Sequence, residues 1–293
     1  MYSTSGYIPQ QISQDRPART RLTLSALVRV TGPDSERFLQ GQLTCDVKSL
    51  TSDNWTAGAC CNAKGRMVAN FIIAQTPQGY LLRLPAEQAD TLINHLKKYI
   101  VFFKSQISLA EDLCVIAEVP ATATTADAHA SQEPHLTLTH ADGRREFWIT
   151  EEEATACLQG PQCSEADWIS TEIRAGYVFV TQQTTEAWVP QYIGWHELGG
   201  ISFSKGCYTG QEVVARPQYL GKAKKNLYLV DGNDDLPAVT AQVTADGRHV
   251  GDLAAVSGSI GLAVISSEER TLNATLAEQP VVLSRLFYTE ENQ

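Results

Sequence analysis

The chain has 293 residues, a hydrophobic content of 43% and a formal net charge of −10 from 23 basic and 33 acidic residues. This length predicts two or three domains with packed cores. The negative charge opposes non-specific attachment to nucleic acid or to an anionic membrane. The sequence has no apolar run long enough for a membrane span and no apolar segment of a secretory signal. We therefore expect a cytoplasmic protein without a membrane partner.

Seven cysteines, an odd number, occupy positions 45, 60, 61, 114, 157, 163 and 207. Their spacing forms no regular disulfide framework, which suits a reducing compartment. Cys60 and Cys61 are adjacent, but no further C-x-x-C pair or histidine cluster accompanies them. The spacing therefore predicts free thiols and no metal site.

The N-terminal part predicts a flexible tail followed by a mixed α and β unit. Residues 1–21 combine polar residues with prolines, which favours a flexible tail. Alternating apolar residues over 22–31 favour a strand, and Asp34 then begins a short helix. Two strand-like runs, 55–63 and 66–74, are joined by Asn-Ala-Lys-Gly, which predicts a hairpin.

The middle of the chain predicts one more strand, at 80–84, and then a helix over 86–100 with one apolar face. Residues 120–134 are rich in alanine and threonine, which favours an exposed loop. Thr150 begins a T-x-x-E capping box and Ser164 begins an amphipathic helix. Beyond these helices, residues 226–288 contain only short strand-like runs between Asp-Gly and Ser-Gly turns. This last pattern predicts a small β-barrel or sandwich.

Residues 199–216, which we call the signature segment, concentrate glycines, a cysteine and charged residues in the sequence GGISFSKGCYTGQEVVAR. Thr209 and Glu212 have the spacing of a capping box, which predicts that a helix begins there and that Cys207 lies just before it. The helix dipole and the nearby cation of Lys205 would favour a thiolate, which is a nucleophile or a ligand. The alternative is that Cys207 is a small buried side chain in a glycine-rich turn.

The segment K-G-C-Y-x-G-Q-E, followed by V-V-A-R, resembles the signature of the YgfZ family, folate-binding proteins involved in tRNA modification. Residues 39–47, LQGQLTCDV, are similar to the N-terminal F/M-x-G-Q-x-T-x-D-V segment of that family. Their side chains either bond within a turn or contact a ligand. The YgfZ family is similar in turn to the aminomethyltransferase (T-protein) of the glycine cleavage system, whose corresponding segment has no cysteine.

The resemblance covers nearly the whole chain from about residue 22. It implies an α+β, T-protein-like folate-binding fold with a small C-terminal β-barrel. The domains expected are a flexible tail at 1–21, a folate-binding α+β region at 22–225 and a barrel at 226–293. The α+β region is expected to contain two interleaved subdomains, one from 22–54 with 164–225 and one from 55–163.

Trp168 matches a family tryptophan in W-x-x-x-x-I-x-A-G that is implicated in folate binding, and a flat indole is a suitable surface for stacking a pterin or aminobenzoyl ring. An ordinary core tryptophan is the alternative. T-proteins and many relatives carry a glutamate where this chain has Arg174, and a second family tryptophan aligns with Ser25. The folate-binding residues that the resemblance implies are Trp168, Arg174, Tyr208, Gln211, Glu212 and Arg216.

The resemblance implies a folate-binding protein that supports tRNA modification through assembly or repair of iron–sulfur enzymes. Cys207 would be its reactive thiol, with Lys205 beside it, and tRNA itself would be at most a weak partner. One alternative is a folate-dependent aminomethyl transferase, against which the replaced catalytic segment argues. The other is a non-catalytic tRNA-binding module, which the net charge disfavours.

A basic cluster comprises Lys205, Arg216, Lys222, Lys224 and Lys225. These residues either bind an anionic ligand or are simply solvated.

Overall fold

The computed structural model describes residues 16–121, 127–132, 135–220 and 225–287, with the side chains of 216–220 left out. The helices are α1 Ser35–Gln40, α2 Ala89–Ile100, α3 Glu151–Cys157, α4 Glu165–Arg174 and α5 Gln211–Leu220. The first ten strands are β1 Ala18–Arg21, β2 Ser25–Thr31, β3 Trp55–Cys61, β4 Met67–Thr76, β5 Gly79–Pro85, β6 Gln106–Leu109, β7 Leu113–Val119, β8 His129–Ser131, β9 Leu136–Thr139 and β10 Arg145–Thr150. The remaining strands are β11 Asn226–Gly232, β12 Gln242–Ala245, β13 Arg248–Ser257, β14 Ile260–Ile265, β15 Thr271–Leu276 and β16 Gln279–Arg285.

The strands form two antiparallel sheets and a closed barrel. The first sheet has the order β3-β4-β5-β2-β6, and the second has the order β1-β7-β10-β9-β8. The barrel closes in the order β11-β14-β13-β12-β15-β16. An α+β fold with a small C-terminal barrel is therefore confirmed. None of the helices in the described residues has the length and hydrophobicity needed to cross a bilayer.

The first sheet lies between two cores, and its inner strands β4 and β5 are buried on both faces. Along β4, Phe71 and Ile73 face a core formed with α1 and α2, whereas Ile72 and Ala74 face the central core. Successive side chains of a strand point to opposite faces, so this division follows directly from the apolar run of β4. The central core also contains α4 and the second sheet.

Several local predictions are confirmed by the geometry of their turns and caps. Gly65 has φ +68° in the β3–β4 hairpin, where the Asn62 side chain accepts from the backbone N–H of Lys64 at 2.9 Å. Thr150 and Ser164 each form a complete capping box at the start of α3 and α4. Gly176, with φ +85°, follows the end of α4.

The strands divide differently from the predicted subdomains. Residues 18–21, assigned to the flexible tail, form β1 and pair with β7; residues 1–15 lie outside the described part of the chain. Strand β2, assigned with 164–225, pairs instead with β5 and β6, where Val28 lies opposite Leu82 and Leu109. The alternating pattern that predicted β2 carries no information about its partners, because pairing depends on residues far along the chain.

A buried ion cluster joins the two sheets to α4. Arg83 of β5 lies 2.8 Å from the Glu146 carboxylate of β10, and it donates a 2.7 Å hydrogen bond to Glu172 of α4. His140 and Trp148 also contact the Glu146 carboxylate, each at 2.9 Å. Burial alone would raise the pKa of Glu146, but the charge of Arg83 and the hydrogen bond with His140 lower it to about 2.

We expect Arg83→Met to lower the free energy of unfolding by about 3–5 kcal/mol at neutral pH, because it leaves two buried carboxylates without their cation. The pKa of Glu146 is lowered from its ordinary 4.5 to about 2 in the folded protein. Its carboxylate therefore stabilises the fold above pH 4.5, and that contribution is lost as the pH falls towards 2. The difference in free energy of unfolding between the variant and the wild type should become smaller as the pH falls from 4.5 towards 2. Urea denaturation measures this difference.

The matched control is Arg29→Met, which removes a cation from the exposed pair of Arg29 and Asp112. Exposed pairs contribute only about 0–1 kcal/mol, so the free energy of unfolding of this variant should be close to that of the wild type. Equal small effects of the two substitutions would contradict a structural role for the buried cluster.

Candidate functional site

The signature segment lies against the N-terminal motif, residues 39–47. The Thr44 hydroxyl donates to the Gly200 carbonyl at 2.5 Å, and the Ser202 N–H donates to the Thr44 carbonyl at 2.9 Å. The same hydroxyl accepts from the Ala59 N–H of β3 at 2.9 Å. Two stretches that are far apart in sequence are therefore one structural unit. The hydrogen bonds of the Thr44 hydroxyl thus connect the N-terminal motif to Gly200 and to β3, and not to its own turn.

Lys205 anchors the signature segment from inside. Its side chain is only 8% exposed, and its ammonium donates to the carbonyls of Leu43 at 2.7 Å and Cys45 at 2.6 Å. Burial lowers the pKa of Lys205 to about 8, although Cys45 and Asp46 act in the opposite direction. The ammonium is directed at these two carbonyls rather than at the Cys207 thiol. This corrects the expectation that Lys205 acts as a cation beside Cys207.

Cys207 is exposed on the surface, two residues beyond the Lys205 anchor. All seven cysteines lie in described residues, where each is a free thiol, and the six other than Cys207 are buried or half-buried. Burial raises the pKa of Cys45 and of Cys60 to about 12. The alternative in which Cys207 is a buried side chain is therefore wrong, and Cys207 is the thiol that an external reagent or partner can reach.

The helix after Cys207 begins differently from the prediction. α5 begins at Gln211, and Thr209 instead donates its hydroxyl to the Gln42 side chain and its N–H to the Gly41 carbonyl, both at 3.3 Å. The predicted capping box of Thr209 and Glu212 is therefore wrong. Gly210 precedes the helix with φ +82°, and a Cβ there would lie 2.5 Å from the Asn62 carbonyl oxygen. Only glycine allows the start of α5 to approach the β3–β4 hairpin this closely.

The remaining predicted residues of the signature segment have different environments. Tyr208 is buried, and its ring centroid lies 5.2 Å from the Lys205 ammonium. Gln211 is half-buried and Glu212 is exposed. Arg216 belongs to α5, but its side chain lies outside the described residues, as do Lys222 and Lys224 of the predicted basic cluster. A role for these residues in folate binding stays a prediction.

A groove of about 640 Å³ runs beside the signature segment. Its lining residues are Asp46, Ser49, Thr56, Gly199, Ile201, Ser202, Phe203 and Ser204. One wall comes from the end of the N-terminal motif, the turn after it and β3, and the other comes from the signature segment. A carboxylate, several hydroxyls and one aromatic ring face this space. The sequence interpretation missed Ser202 and Phe203 as site residues, although they lie within the signature segment.

Trp168, the predicted stacking residue, lies in the central core and is 0% exposed. The guanidinium carbon of Arg144 lies 4.9 Å from its ring centroid, and Arg144 also bonds to Asp142 at 2.7 Å. Within the described part of the chain, Trp168 Nε1 and Arg144 Nη1 are buried without a hydrogen-bond partner. Buried polar atoms are normally paired. These two donors are among several buried side-chain atoms of the described residues that have no partner, and His140 Nδ1 beside them is another.

Two aromatic ring contacts link Trp168 to strand β3. Thr56 lines the groove, and the preceding residue, Trp55, has its ring centroid 4.6 Å from that of His140. The His140 ring lies in turn 5.9 Å from Trp168. Successive side chains of a strand point to opposite faces, so Thr56 at the groove and Trp55 in these ring contacts lie on opposite faces of β3.

Arg174 and Glu172, near the end of α4, have separate environments. Arg174 is half-buried in the last turn of the helix. Glu172 is buried and accepts from Arg83 in the ion cluster. The Glu172 carboxylate is therefore part of the buried ion cluster.

Comparison with solved structures defines the class of fold. The glycine cleavage system aminomethyltransferase T from Bartonella henselae matches with a TM-score of 0.64 over 93% of this chain and 86% of that chain, at 13% sequence identity. Residues 224–286 match the family model described as the CAF17 C-terminal beta-barrel domain. The chain therefore has an aminomethyltransferase T-like fold that ends in a CAF17-type barrel.

Comparison with curated proteins defines the family. The tRNA-modifying protein YgfZ of Colwellia psychrerythraea is 31% identical over 275 residues, which cover 86% of this chain and 85% of that protein. YgfZ of Yersinia enterocolitica is 33% identical over 285 residues, which cover 89% of this chain and 86% of that protein. This chain belongs to the YgfZ family, and the resemblance carried by its two motifs is confirmed.

We expect Lys205→Met to destabilise the protein by about 1–3 kcal/mol, because two carbonyls lose their charged donor. The opening of this contact should also increase iodoacetamide labelling of the buried Cys45, while labelling of the exposed Cys207 changes little. Urea denaturation and site-resolved mass spectrometry measure the two effects. Lys64→Met is the control, because Lys64 is exposed on the β3–β4 hairpin. A large change at Cys207 with none at Cys45 would contradict the anchoring role.

Proposed function

We propose that this protein binds a folate and supports tRNA modification, with Cys207 acting as a reactive thiol toward the iron–sulfur enzymes that modify tRNA. The observation that carries the proposal is the exposure of Cys207 on a segment whose neighbouring residues are anchored. The relatives from Colwellia psychrerythraea and Yersinia enterocolitica are tRNA-modifying proteins, which supports the tRNA part.

The surroundings of Cys207 suit a thiol that meets a partner protein. The preceding residue, Gly206, is exposed, and a Cβ placed there would have no neighbouring atom within 4 Å. Lys205 and Thr209 hold the backbone on either side through their contacts with residues 41–45. A thiolate is the cysteine form that ligates iron and that attacks a disulfide. An accessible thiol on an anchored backbone is suited to either reaction with a partner.

The cluster around Trp168 supports folate as the ligand. Its two unpartnered donors, Trp168 Nε1 and Arg144 Nη1, fit a molecule with acceptor groups, and a folate offers ring acceptors and two carboxylates. Arg144 would hold a carboxylate or a ring oxygen, and Trp168 would donate to a second acceptor. A bound reduced folate would supply a carrier for one-carbon groups. A ligand reaches Trp168 only after neighbouring side chains move, because Trp168 is 0% exposed.

We expect Trp168→Phe to weaken folate binding while the protein stays folded, because phenylalanine keeps an aromatic ring in the core but lacks the Nε1 donor. A lost hydrogen bond of this kind is worth about 0.5–1.5 kcal/mol, or roughly a 2- to 13-fold increase in Kd. Isothermal titration calorimetry with tetrahydrofolate measures the change. Trp188→Phe, at another buried tryptophan of the same core, is the matched control. Unchanged affinity in Trp168→Phe would remove Trp168 from the site.

We expect Cys207→Ser to abolish function with little change in thermal stability, because the substitution removes an exposed thiol and disturbs no buried contact. The functional measurement is complementation of a tRNA-modification defect, and the stability measurement is a thermal melt. Cys163→Ser is the control: burial raises the pKa of the half-buried Cys163 to about 11, so this thiol should label slowly and be dispensable for complementation. Full complementation by Cys207→Ser would reject the thiol as the reactive group.

A separate measurement tests the transferase alternative. Release of a one-carbon folate product from an aminomethyl donor would favour that alternative.

A further inference from the structure

The C-terminal end of α2 and the turn after it carry exposed apolar side chains that the groove and Cys207 do not use. Val101 is 72% exposed and Phe102 is 80% exposed. These are the two highest values among the large hydrophobic side chains in the described part of the chain. Scattered exposed apolar residues are ordinary, but two neighbours with this exposure form a small apolar surface.

Three lysines surround this apolar pair. Lys97, Lys98 and Lys104 are all exposed. Lys97 and Lys98 each precede an exposed apolar residue by four positions, so they lie one helical turn from Val101 and Phe102. Within the described residues, none of the three lysines forms an ion pair. The helix dipole accounts for cations at the end of α2, but it accounts neither for Lys104 nor for the exposed ring.

The turn that presents Phe102 is anchored on the protein. Phe103, the next residue, packs against Phe38 with ring centroids 5.3 Å apart, and its N–H donates to the Ile100 carbonyl at 2.8 Å. The Lys104 N–H donates to the Asp34 carboxylate at 2.8 Å. These contacts hold the backbone on the C-terminal side of Phe102, so the exposure of its ring is a property of the fold.

Nearby acidic groups do not neutralise the surface. Asp34 faces the turn, but it accepts from the Lys104 backbone and lies 3.5 Å from the Arg37 guanidinium. Glu36 is exposed on α1 beside the equally exposed Arg37. The local charge of Lys97, Lys98 and Lys104 therefore remains positive on a protein whose net charge is −10. An anionic partner would be attracted to such a surface and repelled by most of the rest of the molecule.

We propose that this surface, residues 97–104, binds a single-stranded segment of RNA, with an unpaired base stacked on Phe102 and phosphates contacted by the lysines. The proposal rests on the proposed role in tRNA modification. Proteins recognise unpaired RNA by stacking bases on aromatic rings beside cationic side chains, which is the combination present here. The RNA contact would use none of the residues of the signature segment, so Cys207 would remain free for a protein partner.

The size of the surface favours RNA over a protein or a membrane. A standard protein interface involves roughly 20–30 residues on each side, whereas the exposed apolar part here consists of two side chains. A membrane-surface helix inserts a broad apolar face, but Leu92, Ile93 and Leu96 of α2 are buried in the core. One exposed aromatic ring is instead the size of one stacked base.

The test is fluorescence anisotropy with a labelled oligouridine RNA about 12 nucleotides long and with an unmodified tRNA transcript. We expect Phe102→Ala to weaken binding of the oligonucleotide by about 5- to 150-fold, the loss typical of one stacked base. Lys98→Gln should reduce the slope of log K against log salt by about 0.7, the value for one phosphate contact on a single strand. The matched controls are Val282→Ala and Arg248→Gln, which change exposed residues of the barrel.

Several outcomes would overturn the proposal. These are an unchanged affinity in Phe102→Ala, equal losses in the barrel controls, no RNA binding by the wild type, or preferential binding to phosphatidylserine vesicles. Folate titration of Phe102→Ala keeps this proposal separate from the proposed function. If the protein binds folate but not RNA, only the RNA surface is rejected. If the Trp168 and Cys207 experiments fail, the proposed function is rejected, and the RNA affinities are then interpreted without it.

Discussion

The contact of Arg83 with Glu146 and Glu172 is the constraint on which the central architecture depends. Each residue comes from a different element, β5, β10 or α4, so one guanidinium fixes the first sheet, the second sheet and the helix that carries Trp168 relative to one another. Burying three charges is costly unless every charge is paired, which leaves little freedom in how these elements dock. The position of Trp168 follows from this arrangement rather than from the sequence around it.

Local sequence predicted those elements whose causes are local. The β3–β4 hairpin needed a positive φ at Gly65, and the capping boxes at Thr150 and Ser164 needed only residues three positions apart. The box expected at Thr209 has the same spacing and failed, because Gln42 and Gly41 bind Thr209 instead. The sequence made no prediction of how β2 pairs, since its pairing depends on strands elsewhere in the chain.

The sequence predicted the two motifs of the candidate site but not how they contact each other. The family resemblance identified both motifs, and composition identified Cys207 as chemically distinct. Nothing in the sequence showed that Lys205 is directed inward at the carbonyls of Leu43 and Cys45, because a lysine beside a cysteine ordinarily suggests a charge partner. The groove was equally hidden, since its two walls come from stretches more than 140 residues apart.

Because the two motifs are joined through backbone atoms, the side chains at the contact can vary within the family. Lys205 binds main-chain carbonyls, and the Thr44 hydroxyl binds a main-chain carbonyl and a main-chain N–H. The backbone atoms they contact exist whatever side chains occupy positions 43, 45, 59 and 200. Substitutions at those positions therefore need no compensating change at Thr44 or Lys205 so long as the backbone path is kept. Statistical coupling between aligned positions would consequently be weak across this contact, and methods that infer proximity from co-varying residues would underestimate how closely the two motifs are joined.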